Sequence, residues 1–309
     1  MRVAAGWCVA VAAVSVLSGC GQPDRQEEAD ALERAVAAMS GVEDVDVLYS
    51  NNFTQGSKLD IDVIATEADI AQVADIAARI EEIKDDHFDG YDQSATFVVA
   101  DGVVLERHGT LEPDPIEDDT RAARNIADDI PGSEVFWTQQ ESGGHDTVRF
   151  ENAPAAAALD AVRSYIPADD VLVTVRKFEG EPQWRVSMPL GEDEARTIRD
   201  SLAGSPLNTL AVSVTRGHVS GLTVAVEDEA HASVHLEAVL ALFEPTEDHP
   251  LMLEWKGAGG GADRKFSGSV HVAGCTYAPN LAESEPERFY TTEALALRDR
   301  LREQYDTCE

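Results

Sequence analysis

Phe97-Val98-Val99-Ala100-Asp101-Gly102-Val103-Val104-Leu105 is the stretch whose reading decides the fold. Two apolar runs flank an Asp-Gly pair, a dipeptide that tolerates the positive φ angles of a two-residue hairpin turn, so the stretch predicts two antiparallel strands. Upstream, Ile70, Val73, Ile76, Ile80 and Ile83 recur at helical spacing, with Thr66 and Asp69 as the helix start. Before that helix, Val45, Val47 and Tyr49 alternate with polar residues, and so do Leu59, Ile61 and Val63. Asp60 and Asp62 then point to the opposite face, and the pattern predicts a half-buried hairpin. A first helix through Leu32, Val36 and Met39 stops at Gly41.

The same order returns downstream. A helix through Ala123, Ile126 and Ile130 ends at Pro131-Gly132, and a third begins before Ile198 and Leu202 and closes at Gly204. Each is followed by alternating strand patterns and a second helix. The reading is an α+β chain of three divergent α-β-β-α-β-β modules, at residues 31–109, 117–190 and 191–278. Each is expected to be a small, mostly antiparallel sheet with helices on one face. A tail at 279–309 carries a last helix, Thr292 to Arg302. Gly109 to Asp119, with Pro113 and Pro115, is read as a linker, and a second boundary falls near Gly191. The order is similar to the BON domains of bacterial envelope proteins in topology only. No stretch follows their sequence pattern, so no function is carried over.

At the N-terminus, Arg2 precedes an apolar run from Val3 to Leu17 that ends in Leu17-Ser18-Gly19-Cys20. The layout is that of a signal peptide and is short for a membrane span. The segment resembles the lipobox of bacterial lipoproteins. That resemblance implies diacylglyceryl transfer to Cys20, removal of residues 1–19 and a mature chain of 290 of the 309 residues. Two acyl chains suffice for stable anchoring. The expected location is the extracytoplasmic face of a cell membrane, with Cys20 lipidated and residues 20–30 as a polar tether.

Of the four cysteines, Cys8 would leave with the leader and Cys20 would carry lipid, so Cys275 and Cys308 remain. In an oxidising compartment they either bridge or stay as two thiols. A bridge would close a loop of about 34 residues and contribute roughly 3–4 kcal/mol on the loop-entropy model.

Acidic residues outnumber basic ones 58 to 24, for a formal charge of −34. Loss of Arg2 would take this to −35. Such a surface repels phosphate backbones and anionic headgroups, which argues against nucleic acid as a partner and leaves membrane attachment to the lipid. The partners expected are the membrane, through Cys20, and an envelope protein or wall component.

Candidate chemistry is sparse. Asp85 to Asp92 has Asp and Gly at calcium-loop positions 1, 5 and 6, but His87 and Thr96 occupy positions 3 and 12, so a turn is the expected role. His231 and His235 share a helix face and are the weak metal candidates, with Ala232 where a metalloprotease helix needs Glu. The glycine-rich run Gly257 to Ala262 follows a strand and precedes another, which reads as a hairpin connection rather than a dinucleotide loop. Trp137, Trp184 and Trp255 fall in strands and read as core. No nucleophile elbow, P-loop or S-x-x-K constellation is present, so no catalytic residue and no cofactor are assigned. The expected function is a non-enzymatic binding or scaffold lipoprotein. The alternatives are metal or ligand capture, or a metal-assisted hydrolase.

Overall fold

A computed structural model describes residues 24–307, apart from 53, 55, 140–144, 167–170, 177, 258–263 and 278. In chain order its elements are α1 (Gln26–Ala37), β1 (Asp44–Asn52), β2 (Gly56–Ile64), α2 (Ile70–Lys84), β3 (Asp92–Ala100), β4 (Val103–His108), α3 (Pro113–Asp129), β5 (Glu134–Gln139), β6 (Asp146–Glu151), α4 (Ala155–Tyr165), β7 (Val171–Arg176) and β8 (Gln183–Ser187). They continue with α5 (Glu192–Ala203), β9 (Asn208–Thr215), β10 (His218–Val226), α6 (Ala232–Ala241), β11 (Leu251–Gly257), β12 (Ser267–Val272), α7 (Leu281–Ser284) and α8 (Thr292–Tyr305).

The mixed α and β composition is as read from the sequence, and the strand partners are new. All twelve described strands join one sheet, in the order β1 to β12 without a single inversion. Antiparallel hairpins alternate with parallel neighbours, each parallel pair being joined through a helix. The unit is therefore α-β-β, and it occurs six times. Helices α1 to α6 begin 44, 43, 42, 37 and 40 residues apart. The separate small sheets expected of three modules do not form. β4 pairs with β5 across the first expected boundary and β8 with β9 across the second. One αββ unit has only two strands and one helix. It buries its apolar face only by extending its neighbour's sheet, which is how repeat arrays grow.

Side chains of one strand parity are buried and those of the other are mostly half-exposed. Val63, Phe97, Leu105, Val135, Val148, Val173, Val186 and Leu253 are among the fully enclosed, and they join a single core with α1 to α6 and α8. A sheet covered on one side and open on the other follows from crossovers of a single hand. The Asp-Gly turn forms as expected, with Gly102 at φ +70°.

Three local readings change. The linker is helical from Pro113 on: Pro113 sits at the start of α3, where its missing N–H has no partner to lose and its fixed φ suits the helix. The tether is shorter than 20–30, because α1 starts at Gln26 with Glu27 and Glu28 in its first turn, where carboxylates favour the helix dipole. Helix α2 is capped by Asp69 and Gln72, each side-chain oxygen accepting the other's backbone N–H at 2.8 Å. Thr66 instead donates its hydroxyl to Glu43.

Candidate functional site

The open face of the sheet divides along its length. At the β1–β2 end it carries Asp44, Asp46, Asp60 and Asp62, with Asp46 directly opposite Asp62. Over β4 to β7 it forms a hollow of about 210 Å³ lined by Glu106, Phe136, Thr138, Thr147, Arg149, Thr174 and Arg176, among others. The strands place these side chains by simple alternation. Val148 and Phe150, Val173 and Val175, and Trp184 and Val186 turn into the core, so Arg149, Thr174, Arg176 and Arg185 project to the other side.

Register then gathers them. Arg149 pairs with Thr174 across β6–β7, and Thr174 pairs with Arg185 across β7–β8. Thr174 is 7% exposed and sits between two arginines, with Arg176 two residues along its own strand.

Many guanidiniums elsewhere are matched by carboxylates: Arg79 with Glu82, Arg121 with Glu117 and Asp118, Arg196 with Glu192 and Asp193, and Arg302 with Glu283 through two 2.9 Å bonds. Arg34 and Arg124 bond only backbone carbonyls, and Arg199 has a buried nitrogen without a partner among the described residues. The Arg149 guanidinium lies over Phe136, 4.2 Å from the ring centroid, and approaches Glu151 only to 3.8 Å. Its Nε is enclosed and without a hydrogen bond among the described residues. The side chains of Arg176 and Arg185 have no hydrogen bond or ion pair among the described residues. Glu106 is already engaged, accepting from the Thr138 hydroxyl at 3.0 Å and lying 3.3 Å from His108. The hollow thus presents guanidinium donors and threonine hydroxyls, one of them, Thr138, bonded to Glu106, and it can bind an anion.

The residues singled out from the sequence lie elsewhere. His231 is exposed and its Nδ1 is 2.7 Å from Asp228, which holds the Asp228 carboxyl below its ordinary range. His235 stacks obliquely beside it at 6.1 Å. Among the described residues no group of three or more His, Cys, Asp or Glu could hold a metal ion. The Asp85–Asp92 stretch is a short 3-10 turn leading into β3. Its Phe88 and Tyr91 pack against Tyr49, and burial, first among several causes, pushes the Tyr91 hydroxyl up to about 12. Residues 258–263 lie outside the described residues, and the flanking β11 and β12 pair antiparallel, as a hairpin connection requires. Trp137, Trp184 and Trp255 are core residues, at most 3% exposed.

Cys20 and Cys308 lie outside the described residues. Cys275 is disulfide-bonded. Around it, the Ala273 N–H donates to the Tyr305 carbonyl and the Thr307 N–H to the Gly274 carbonyl, both at 3.1 Å. The Tyr277 hydroxyl bonds the Asp306 carboxylate at 2.7 Å beneath the Arg302 guanidinium. Burial and that carboxylate raise the Tyr277 pKa, and the cluster fastens α8 to the β12 edge.

The arginines at 149, 176 and 185 were missed in the sequence because period-2 alternation assigns them to an outward face without revealing which strands are neighbours. Compared with protein-family models, with curated proteins and with solved structures, the chain finds no match.

Proposed function

We propose that the chain is a lipoprotein anchored by Cys20 on the extracytoplasmic face of a bacterial membrane, where it acts without catalysis as a binding platform. The observation that carries the platform reading is the open sheet face: twelve described strands wide, covered on one side only, with Arg149, Arg176 and Arg185 clustered at its centre in a chain of charge −34. The anchor reading rests on Leu17-Ser18-Gly19-Cys20. No described helix is long and apolar enough to cross a membrane. The Cys275 disulfide fits an oxidising compartment. Cys308 is its proposed partner, because the backbone bonds at Gly274 and Thr307 bring the two chain segments side by side.

The anchor would hold the array close to the bilayer. The Arg25 N–H donates to the Tyr49 hydroxyl at 2.8 Å, and the five residues from Gly21 to Arg25 can span at most about 17 Å. Twelve strands at the usual spacing would then extend about 50 Å from the β1 edge.

Mass spectrometry of the membrane fraction tests the anchor. A diacylglyceryl mass is expected on the peptide beginning at Cys20, lost in Cys20→Ser, and an unmodified chain starting elsewhere would overturn it. The platform is tested by crosslinking from photoreactive residues placed on the open face, at Leu172 and Ser187, followed by capture. Discrete partners are expected from these positions and not from the exposed helix position Arg79. Equal capture from all three would remove the reading.

A further inference from the structure

We propose that the hollow around Thr174 is a binding site for a small organic acid, held by its carboxylate between Arg149, Arg176 and Arg185. The inference deepens the platform reading and names the chemical class its open face takes.

The first argument is unmet bonding capacity. A guanidinium offers five donors in a planar fork that fits a carboxylate through two parallel bonds. Arg149, Arg176 and Arg185 have no hydrogen-bonded carboxylate among the described residues, and they stand on three adjacent strands, which concentrates that unmet capacity in one place. Arg149 is also preset. Its contact with the Phe136 ring holds the guanidinium in place and screens one side of it from water, which strengthens any bond formed there.

The second argument is geometry. Arg149 and Arg185 stand two strand spacings apart, about 10 Å between backbones, with Thr174 midway. Arg149 and Arg176 line the hollow itself, and Arg185 stands beside it, exposed, with a side chain long enough to reach a ligand over Thr174. The Thr138 and Thr147 hydroxyls on β5 and β6 line the same hollow. Phe136 and Val104 supply an apolar wall for the carbon chain of an acid.

The third argument concerns charge. Arg149, Arg176 and Arg185 stand against two acids, Glu106 in the lining and Glu151, which lies 3.8 Å from Arg149 and opposite Arg176, leaving a single positive charge in surplus. That surplus meets the single charge of one carboxylate group, the end by which an acid would be held, better than a phosphate, which concentrates close to −2 on one group near neutral pH. The remaining negative charge of the protein is screened beyond about 8 Å at physiological salt, so the local surplus governs a ligand in the hollow.

The experiment uses the full chain in detergent at fixed ionic strength. Two-dimensional NMR and calorimetry follow titrations with succinate, sulfate and the uncharged succinamide. Succinate is expected to saturate with a dissociation constant below roughly 1 mM. It should shift the resonances of Thr174 and its neighbours, while sulfate binds at least tenfold more weakly and succinamide not at all. Arg149→Gln and Arg176→Gln, each with an unchanged melting temperature, are expected to weaken succinate roughly tenfold or more, the loss of one charge-assisted hydrogen-bonded contact. Equal binding of sulfate and succinate, saturable binding indifferent to both substitutions, or no saturation would overturn the proposal. The parent reading fails separately: capture of partners from Leu172 and Ser187 without acid binding removes the ligand class and leaves the platform. Acid binding without any captured partner does the reverse.

Discussion

Arg107 and Arg149 stand on the same sheet and face opposite ways, and their surroundings show what each face is for. Arg107 on β4 turns under α3 and is 2% exposed. It donates to Asp119 at 2.6 Å and to the Trp137 carbonyl at 3.0 Å, with its guanidinium 5.4 Å from the Trp137 ring centroid. Arg149 on β6 turns to the open side with one distant carboxylate. A cation on the covered face has to bring its counter-ion with it, because an unpaired buried charge is strongly destabilising. A cation on the open face has water instead, and can keep its donors for something else.

The contrast is broken most severely by removing Arg107. Arg107→Ala should lower stability by about 3 kcal/mol in urea unfolding, because it strands the Asp119 carboxylate under a helix. Burial already raises the Asp119 pKa above its ordinary value despite the neighbouring guanidinium. A carboxyl with a raised folded-state pKa binds its proton more tightly when folded, so its stability contribution is present at low pH and is lost as pH rises through that pKa. The deficit of Arg107→Ala should accordingly shrink on acidification. A deficit that grows would mean that Asp119 is not stranded.

A second covered-face change acts by shape. Gly268 lies opposite Trp255 in the β11–β12 pair, and a Cβ built there would come 2.4 Å from the indole ring. Gly268→Ala should cost about 1–3 kcal/mol as overpacking, read as a lower thermal midpoint with a displaced Trp255 fluorescence maximum.

At the array's end, Glu283 is held below its ordinary pKa by its hydrogen bonds to Arg302. A depressed carboxyl contributes above its unfolded pKa and loses that contribution as pH falls through the folded one. Glu283→Gln should therefore lower the melting temperature slightly at pH 7, by less than about 1 kcal/mol because the pair is partly solvated, and make no difference at about pH 3.

The smallest effects belong to the open face. Arg149→Gln, Arg176→Gln and Arg185→Gln should each stay within about 0.5 kcal/mol of the parent. Asp62→Asn, which relieves the like-charge opposition to Asp46, should stabilise by about 0.2–0.5 kcal/mol in the same assay. A large loss at Arg149 would show that the open face is structural after all and would dissolve the comparison.

Much of the fold was legible. Alternation located the hairpins, as at Leu59 to Val63 and Phe97 to Leu105, because a half-buried strand must show one face to the core and one to water. The helix faces of α2 and α4 were legible for the same reason at a different period. The polar starts of α1 and α3 were misread because the first three residues of each bury nothing and so carry no apolar signature. The six-unit repeat was read as three double units because only some α-β-β units close their helix with glycine. Gly41, Gly132 and Gly204 mark alternate units, and the helices between them end without one. The arginine hollow was beyond reach, since residues 149, 176 and 185 sit on three strands.

The sequence by itself determined the strands, the helices, the side each strand turns inward, and the Leu17-Ser18-Gly19-Cys20 match on which the anchor rests. These are properties of neighbours within a few residues, where periodicity and side-chain chemistry suffice. Only the tertiary structure decided that six αββ units would share one sheet, and which open-face residues would meet. Strand pairing is a contact between distant segments, and its register, which brings Arg149 and Arg185 to either side of Thr174, is set by the packing of every helix beneath it.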